Sequence, residues 1–76
     1  PFNPSTNIGF RIGGFGLVTI RIFDINGREI ITLLNEELSA GEYKTDWNAS
    51  GYSSGTYFYR LISDNYSETK KMLLVK

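Results

Sequence analysis

One segment of this chain has residue types and spacing that could bind a metal ion. Residues 24–27 read Asp-Ile-Asn-Gly, and oxygen ligands at alternate positions followed by glycine are typical of calcium-binding loops. The further acidic ligands of a twelve-residue loop are not in place, although Glu36 and Glu37 could approach in space. Asn26 and Gly27 also suit a two-residue type I′ hairpin turn, because both accept positive φ and apolar runs flank them. A hairpin explains the segment better, and calcium binding is the alternative.

The side chains on which most enzymes rely are missing from this sequence. It contains no histidine and no cysteine, which removes the commonest general base, thiolate nucleophiles and most zinc ligand sets. Its eight carboxylates accompany no recognisable nucleophile. We therefore predict a protein that is not an enzyme and that has no metal site and no cofactor.

Composition limits the size of the domain and the classes of partner. Eight Lys and Arg residues balance eight Asp and Glu residues, so nothing attracts the chain to nucleic acid. The longest apolar run, residues 72–75, is far shorter than the about 20 residues that span a bilayer, so no membrane-spanning segment is expected. A chain of 76 residues holds one domain, and we predict a single domain over residues 1–76.

Apolar and polar residues alternate along most of the chain, which predicts β-strands. The β-branched and aromatic residues form short runs between Gly, Asn, Asp and Ser. We predict six strands, or seven, over residues 8–12, 17–24, 28–34, 43–47, 57–62 and 66–75. The polar residues 35–41 predict a loop. Short, evenly spaced strands without helices favour an all-β, antiparallel immunoglobulin-like β-sandwich over a closed barrel.

The alternation also predicts which side chains form the core. We expect it to contain Ile20, Ile22, Trp47, Leu61 and either Tyr57 or Phe58. Trp47 and the aromatic residues 57–59 could instead form a platform for a sugar, but in so small a domain aromatic residues are more often the core itself.

A short motif occurs twice, fourteen residues apart. Residues 39–43 read Ser-Ala-Gly-Glu-Tyr and residues 53–57 read Ser-Ser-Gly-Thr-Tyr. Glycine allows a sharp turn at the start of a strand, and the tyrosine can pack its ring inward while its hydroxyl reaches a backbone group. We predict that both copies form the tyrosine corner that is known from β-sandwiches.

Four motifs, in this order and spacing, carry a resemblance that covers the whole chain. They are residues 1–6 (PFNPST), 23–29 (FDINGRE), 55–61 (GTYFYRL) and 70–76 (KKMLLVK). The chain resembles the type A C-terminal sorting domain of the type IX secretion system, which is related to the immunoglobulin-like domain of the flagellar hook-capping protein. The segment at residues 13–16 departs from the family's more usual polar or proline-containing turn.

This resemblance implies a function and a set of recognition residues. The chain would be a non-catalytic sorting module, the C-terminal part of a longer secreted protein, and its partner would be the outer-membrane secretion machinery. It would direct that protein through the periplasm and across the outer membrane, so that the product is secreted or held at the cell surface. The residues that match the family's motifs are Asn3, Pro4, Gly41, Tyr43, Lys71, Met72, Leu73, Leu74, Val75 and Lys76.

An alternative function is that of a structural subunit. A small domain without net charge could self-assemble into an extracellular filament or tube, as a homo-oligomer joined through strand edges or sheet faces. Lys70, Lys71 and Lys76 would keep the last strand from pairing indiscriminately.

Overall fold

The computed structural model describes residues 5–63 and 66–75, and its elements in this part of the chain are strands. They are β1 (Ser5–Ile12), β2 (Gly16–Phe23), β3 (Glu29–Leu38), β4 (Gly41–Asn48), β5 (Gly55–Ser63) and β6 (Tyr66–Leu74). The predicted all-β class and the number of six strands are confirmed. Within the described residues no helix is long and apolar enough to cross a membrane.

The strands form two antiparallel sheets. One is the pair β1–β4, and the other has the order β3-β2-β5-β6. The architecture is consistent with the predicted immunoglobulin-like sandwich. In the larger sheet β3 and β6 are the two edge strands, so among the described residues β6 has one neighbour, β5.

The core contains residues of every strand except the edge strand β3, whose apolar residues are partly buried or, at Ile31, exposed. Val18, Ile20 and Ile22 alternate along β2 and are fully buried, because β2 lies inside the larger sheet and faces the smaller one. The predicted core residues Trp47 and Leu61 are buried as well. Of the pair left open by the sequence, Tyr57 is in the core and Phe58 is half-buried on the opposite face of β5.

The predicted loop at residues 35–41 is wrong for its first four residues. There β3 continues to Leu38, and Asn35, Glu36 and Glu37 pair with β2. Pairing with a buried strand, together with the contact of Leu38 with the core, outweighs the low strand propensity of these polar residues.

The hairpin between β2 and β3 is confirmed, but its predicted type is wrong. Among the described residues positive φ is confined to glycines, so Asn26 does not adopt the geometry of a type I′ turn. Gly27 has a φ of 83° and donates its N–H to the carbonyl of Asp24, while the N–H of Asp24 donates to the carbonyl of Arg28, both at 2.9 Å. The loop therefore has three central residues, the last of which is a left-handed glycine.

Candidate recognition strand

The candidate recognition residues of the C-terminal motif lie on or next to the edge strand β6. Its pairing with β5 is regular from Ser63–Tyr66 to Gly55–Leu74, without a bulge. The other edge of β6 has no partner strand among the described residues. Such an edge presents a row of N–H and C=O groups to which a further strand could bind.

The side chains of β6 alternate between the core and the surface. Leu74 is buried and Met72 packs against the core, where Met72 is the cross-strand partner of Tyr57. Leu73 is 73% exposed, and Lys71 is exposed on the same outer face. Half of the motif therefore builds the sandwich, and the other half is available for contacts.

Val75 follows the strand and is exposed. Lys76, like Asn3 and Pro4 of the first motif, lies outside the described residues.

The outer face around Lys71 combines aromatic and cationic side chains. Lys71 is paired across the strands with Phe58, and Phe58 with Phe23. The guanidinium of Arg60 lies 5.4 Å from the centre of the Phe23 ring, and its Nε donates to Thr69 Oγ1 at 3.3 Å. This arrangement holds a cation over an aromatic ring on an uncovered sheet face.

A cavity of about 210 Å³ brings the end of β6 to the start of β1. Ser5 and Thr6 line one side, residues 72–75 line the other, and Trp47 contributes to the wall. Trp47 is 2% exposed, and its Nε1 atom is buried without a hydrogen-bond partner among the described residues. The described end of the first motif and the last motif are therefore neighbours in space.

The gap between β1 and β6 is open at its other end as well. A cavity of about 450 Å³ lies there, between Phe10 and Arg11 of β1 and the inward side of β6. On that side Glu68 forms an ion pair of 3.4 Å with Lys70 and accepts a hydrogen bond from Tyr66. These contacts with the Glu68 carboxylate raise the pKa of Lys70 and the pKa of Tyr66. A buried strand of the larger sheet, β5, forms the floor through Leu61.

Gly41 and Tyr43 lie apart from the C-terminal motif and form the first tyrosine corner. The Tyr43 hydroxyl donates to the carbonyl of Ser39 at 2.6 Å, and its ring stacks on Phe10 with centroids 5.6 Å apart. Gly41 has a φ of 153°, and a Cβ there would lie 3.7 Å from the tyrosine ring. Four residues of β4, about 13 Å, separate Tyr43 from Trp47. These contacts stabilise the start of β4, and a recognition role for both residues stays a prediction.

The second copy of the motif forms the same corner. Tyr57 donates its hydroxyl to the carbonyl of Ser53 at 2.7 Å, and Gly55 has the same φ of 153° as Gly41. Both predicted corners are thus confirmed. Because Tyr57 also pairs with Met72, the second corner fixes the strand on which β6 is built. The sequence motif predicted the corner but not this contact, which depends on the strand order.

Asp24, which the sequence offered as a calcium ligand, forms hydrogen bonds with the backbone of its own turn. Its Oδ1 accepts hydrogen bonds from the N–H groups of Arg28 and Asn26, at 3.0 and 2.9 Å, and these bonds lower the pKa of the carboxyl group. Across residues 5–63 and 66–75 no three acidic side chains gather into a group that could hold a metal ion. Trp47, Tyr57 and Tyr59 are buried in the core. This agrees with the prediction that these aromatic residues form the core and not a platform for a sugar.

A family model described as the secretion system C-terminal sorting domain matches residues 1–76, the whole chain. The chain belongs to this family. The membership confirms the resemblance to type IX sorting domains that the four sequence motifs carry. No curated protein and no solved structure matches the chain. Membership of this family supports the interpretation of the chain as a type IX sorting signal. It implies recognition by the secretion machinery and export to the cell surface or the exterior.

Proposed function

We propose that this sorting domain is a non-catalytic address that carries an attached protein through the periplasm and across the outer membrane to the cell surface. The observation that carries the proposal is the match of the sorting-domain family over all 76 residues. The secretion machinery would read the outer side of β6, where Leu73 and Lys71 are exposed, together with the adjoining cavity at Trp47.

The geometry of β6 favours this strand as the recognition element. Its free edge offers backbone groups in an uninterrupted register, while β3, the other edge of the sheet, has two irregularities in its pairing with β2. Bulges hinder the addition of a strand, so β6 is the more accessible of the two edges. A large apolar side chain that is 73% exposed, as Leu73 is, contributes to binding when a partner covers it.

A reporter fusion tests the proposed address. The reporter would carry a signal for entry into the periplasm and residues 1–76 at its C-terminus, in a bacterium that has type IX secretion. We expect the reporter outside the cell or on its surface, whereas the reporter without the domain stays in the periplasm. The matched strain lacks the type IX machinery and should retain both proteins. Equal release of the fusion by both strains would contradict the proposal.

Removal of residues 71–76 should also leave the fusion in the periplasm. That deletion takes Met72 and Leu74 out of the core, so it changes folding and recognition together. Circular dichroism of the truncated domain separates the two effects, and substitution of surface residues alone avoids the problem.

A further inference from the structure

One cross-strand row of the larger sheet ends in opposite charges. Lys71 of β6 pairs with Phe58 of β5, Phe58 pairs with Phe23 of β2, and Phe23 pairs with Glu29 of β3. Directly paired residues share a face of the sheet. Glu29 and Lys71 therefore lie on the same face, one at each edge, and both side chains are accessible, that of Glu29 to 45%. Glu29 already has Arg21 Nε at 3.8 Å and accepts a hydrogen bond from Thr32 Oγ1 at 3.0 Å, so Lys71 of another copy would join a carboxylate that is part of an exposed network.

The strand directions allow a second sheet to continue the first. Each neighbouring pair in the order β3-β2-β5-β6 is antiparallel, so β3 and β6 run in opposite directions. A second copy shifted sideways by the width of the sheet, about 19 Å, and rotated by the twist that four strands accumulate, roughly 90°, would place its β3 antiparallel to β6 of the first. In the unstaggered register Lys71 would face Glu29 of that copy.

The charges on the two edges are complementary as a whole. The charged residues of β3 are Glu29, Glu36 and Glu37, all acidic. In β6 Glu68 is paired with Lys70, which leaves Lys71 as the cation at the edge on the outer face. Like charges oppose the pairing of β3 with β3, and they oppose β6 with β6 in the register that places Lys71 opposite Lys71, but they do not oppose the pairing of β3 with β6.

We propose that copies of this chain associate head to tail, with β6 of one copy paired to β3 of the next and Lys71 facing Glu29. The interaction is weak, because the irregular pairing of β3 shortens the stretch that can match β6. It is heterologous and leaves one β3 and one β6 free at the ends, so longer chains of copies form as the concentration rises. This inference goes beyond sorting and needs no secretion machinery.

Charge reversal on the isolated domain tests the pairing by sedimentation equilibrium from micromolar to millimolar concentration. Lys71→Glu and Glu29→Lys should each weaken the association roughly two- to fivefold, which is the range for one exposed ion pair. An equimolar mixture of the two variants should associate more strongly than either variant alone, because both kinds of mixed contact regain an acid and a base. Each copy finds its matched partner at half the total concentration, so the mixture should come within about twofold of the unaltered domain. Circular dichroism verifies that the variants are folded.

Lys44→Glu is the matched control, since it makes the same charge change on an exposed residue of the smaller sheet. We expect it to leave the association unchanged. A domain that remains monomeric at millimolar concentration would overturn the proposal. Association that is insensitive to both edge variants, or that is no stronger in the mixture than in either variant alone, would overturn it as well, since the contact would then lie elsewhere.

Discussion

Leu73 and Leu74 are adjacent in β6 and have opposite surroundings. Leu73 is 73% exposed on the outer face of the larger sheet, and Leu74 is 9% exposed in the core. The same short motif therefore stabilises the sandwich with one side and presents an apolar surface with the other. Any account of recognition has to treat the two sides separately.

Substitution of these two leucines should separate stability from surface. Leu74→Ala should lower the free energy of unfolding by about 2–5 kcal/mol, because it removes buried methyl groups and leaves a cavity. Leu73→Ala should change it by less than about 0.5 kcal/mol, as is usual for surface positions. Urea denaturation followed by circular dichroism measures both values. A cost for Leu73→Ala as large as that for Leu74→Ala would place both side chains in the core.

Trp47 should be among the most costly residues to truncate. It is 2% exposed and its ring lies 5.3 Å from that of Tyr57 and 5.5 Å from that of Tyr52. We expect Trp47→Ala to lower the free energy of unfolding by about 3–5 kcal/mol. This is a large share of the stability of so small a domain. An unchanged denaturation midpoint would show that the indole ring is not packed in the core.

The two tyrosine corners should differ in their contribution to stability. Tyr57→Phe keeps the buried ring but removes the hydrogen bond to Ser53, which should cost about 1 kcal/mol. Tyr43→Phe is its counterpart in the first corner, where the hydrogen bond to Ser39 is exposed. Water can replace an exposed partner, so the second substitution should cost less. Thermal or urea unfolding of the two variants compares the corners, and a larger loss for Tyr43→Phe would contradict this order.

Asp24 should make stability depend on pH at the acidic end. The N–H groups of Arg28 and Asn26 hold the pKa of its carboxyl group below the ordinary value of 3.8 in the folded chain. A lowered pKa adds stability above the unfolded value, and this contribution is lost as the pH falls through the folded value. The difference in unfolding free energy between the unaltered domain and Asp24→Asn should therefore shrink below about pH 4. A difference that stays constant down to about pH 2 would show that the charge of Asp24 is not stabilising.

The sequence predicted those parts of the fold that depend on local pattern. The alternation of Val18, Ile20 and Ile22 reflects one buried face, and the two Gly-x-Tyr motifs carry their own turn and hydrogen bond. The φ of Asn26 was predicted wrongly. An Asn-Gly pair fits a two-residue turn, in which both residues have positive φ, and it also fits a three-residue loop, in which only the glycine does; the chain adopts the second.

Long-range pairing determines what the sequence could not predict. Glu36 and Glu37 are in a strand because β2 supplies a partner, and Tyr57 rather than Phe58 is buried because the smaller sheet covers that face. The position of β6 at an edge and the closeness of Thr6 to residues 72–75 also depend on the strand order. For this reason the candidate recognition residues could be named from motifs, but the division of the last motif into buried and exposed halves required the structure.

If the exposed side of β6 carries the address, removal of the Leu73 side chain should reduce secretion without unfolding the domain. The most direct test is the extracellular fraction of a reporter fused to residues 1–76 with Leu73→Ser, compared with Phe15→Ser as a matched control. Phe15 is 67% exposed and lies in the connection between β1 and β2, away from residues 72–75. Both variants should unfold as the unaltered domain does. We expect a severalfold loss of secretion for Leu73→Ser and none for Phe15→Ser, and equal secretion of both fusions would show that the exposed side of β6 is not the address.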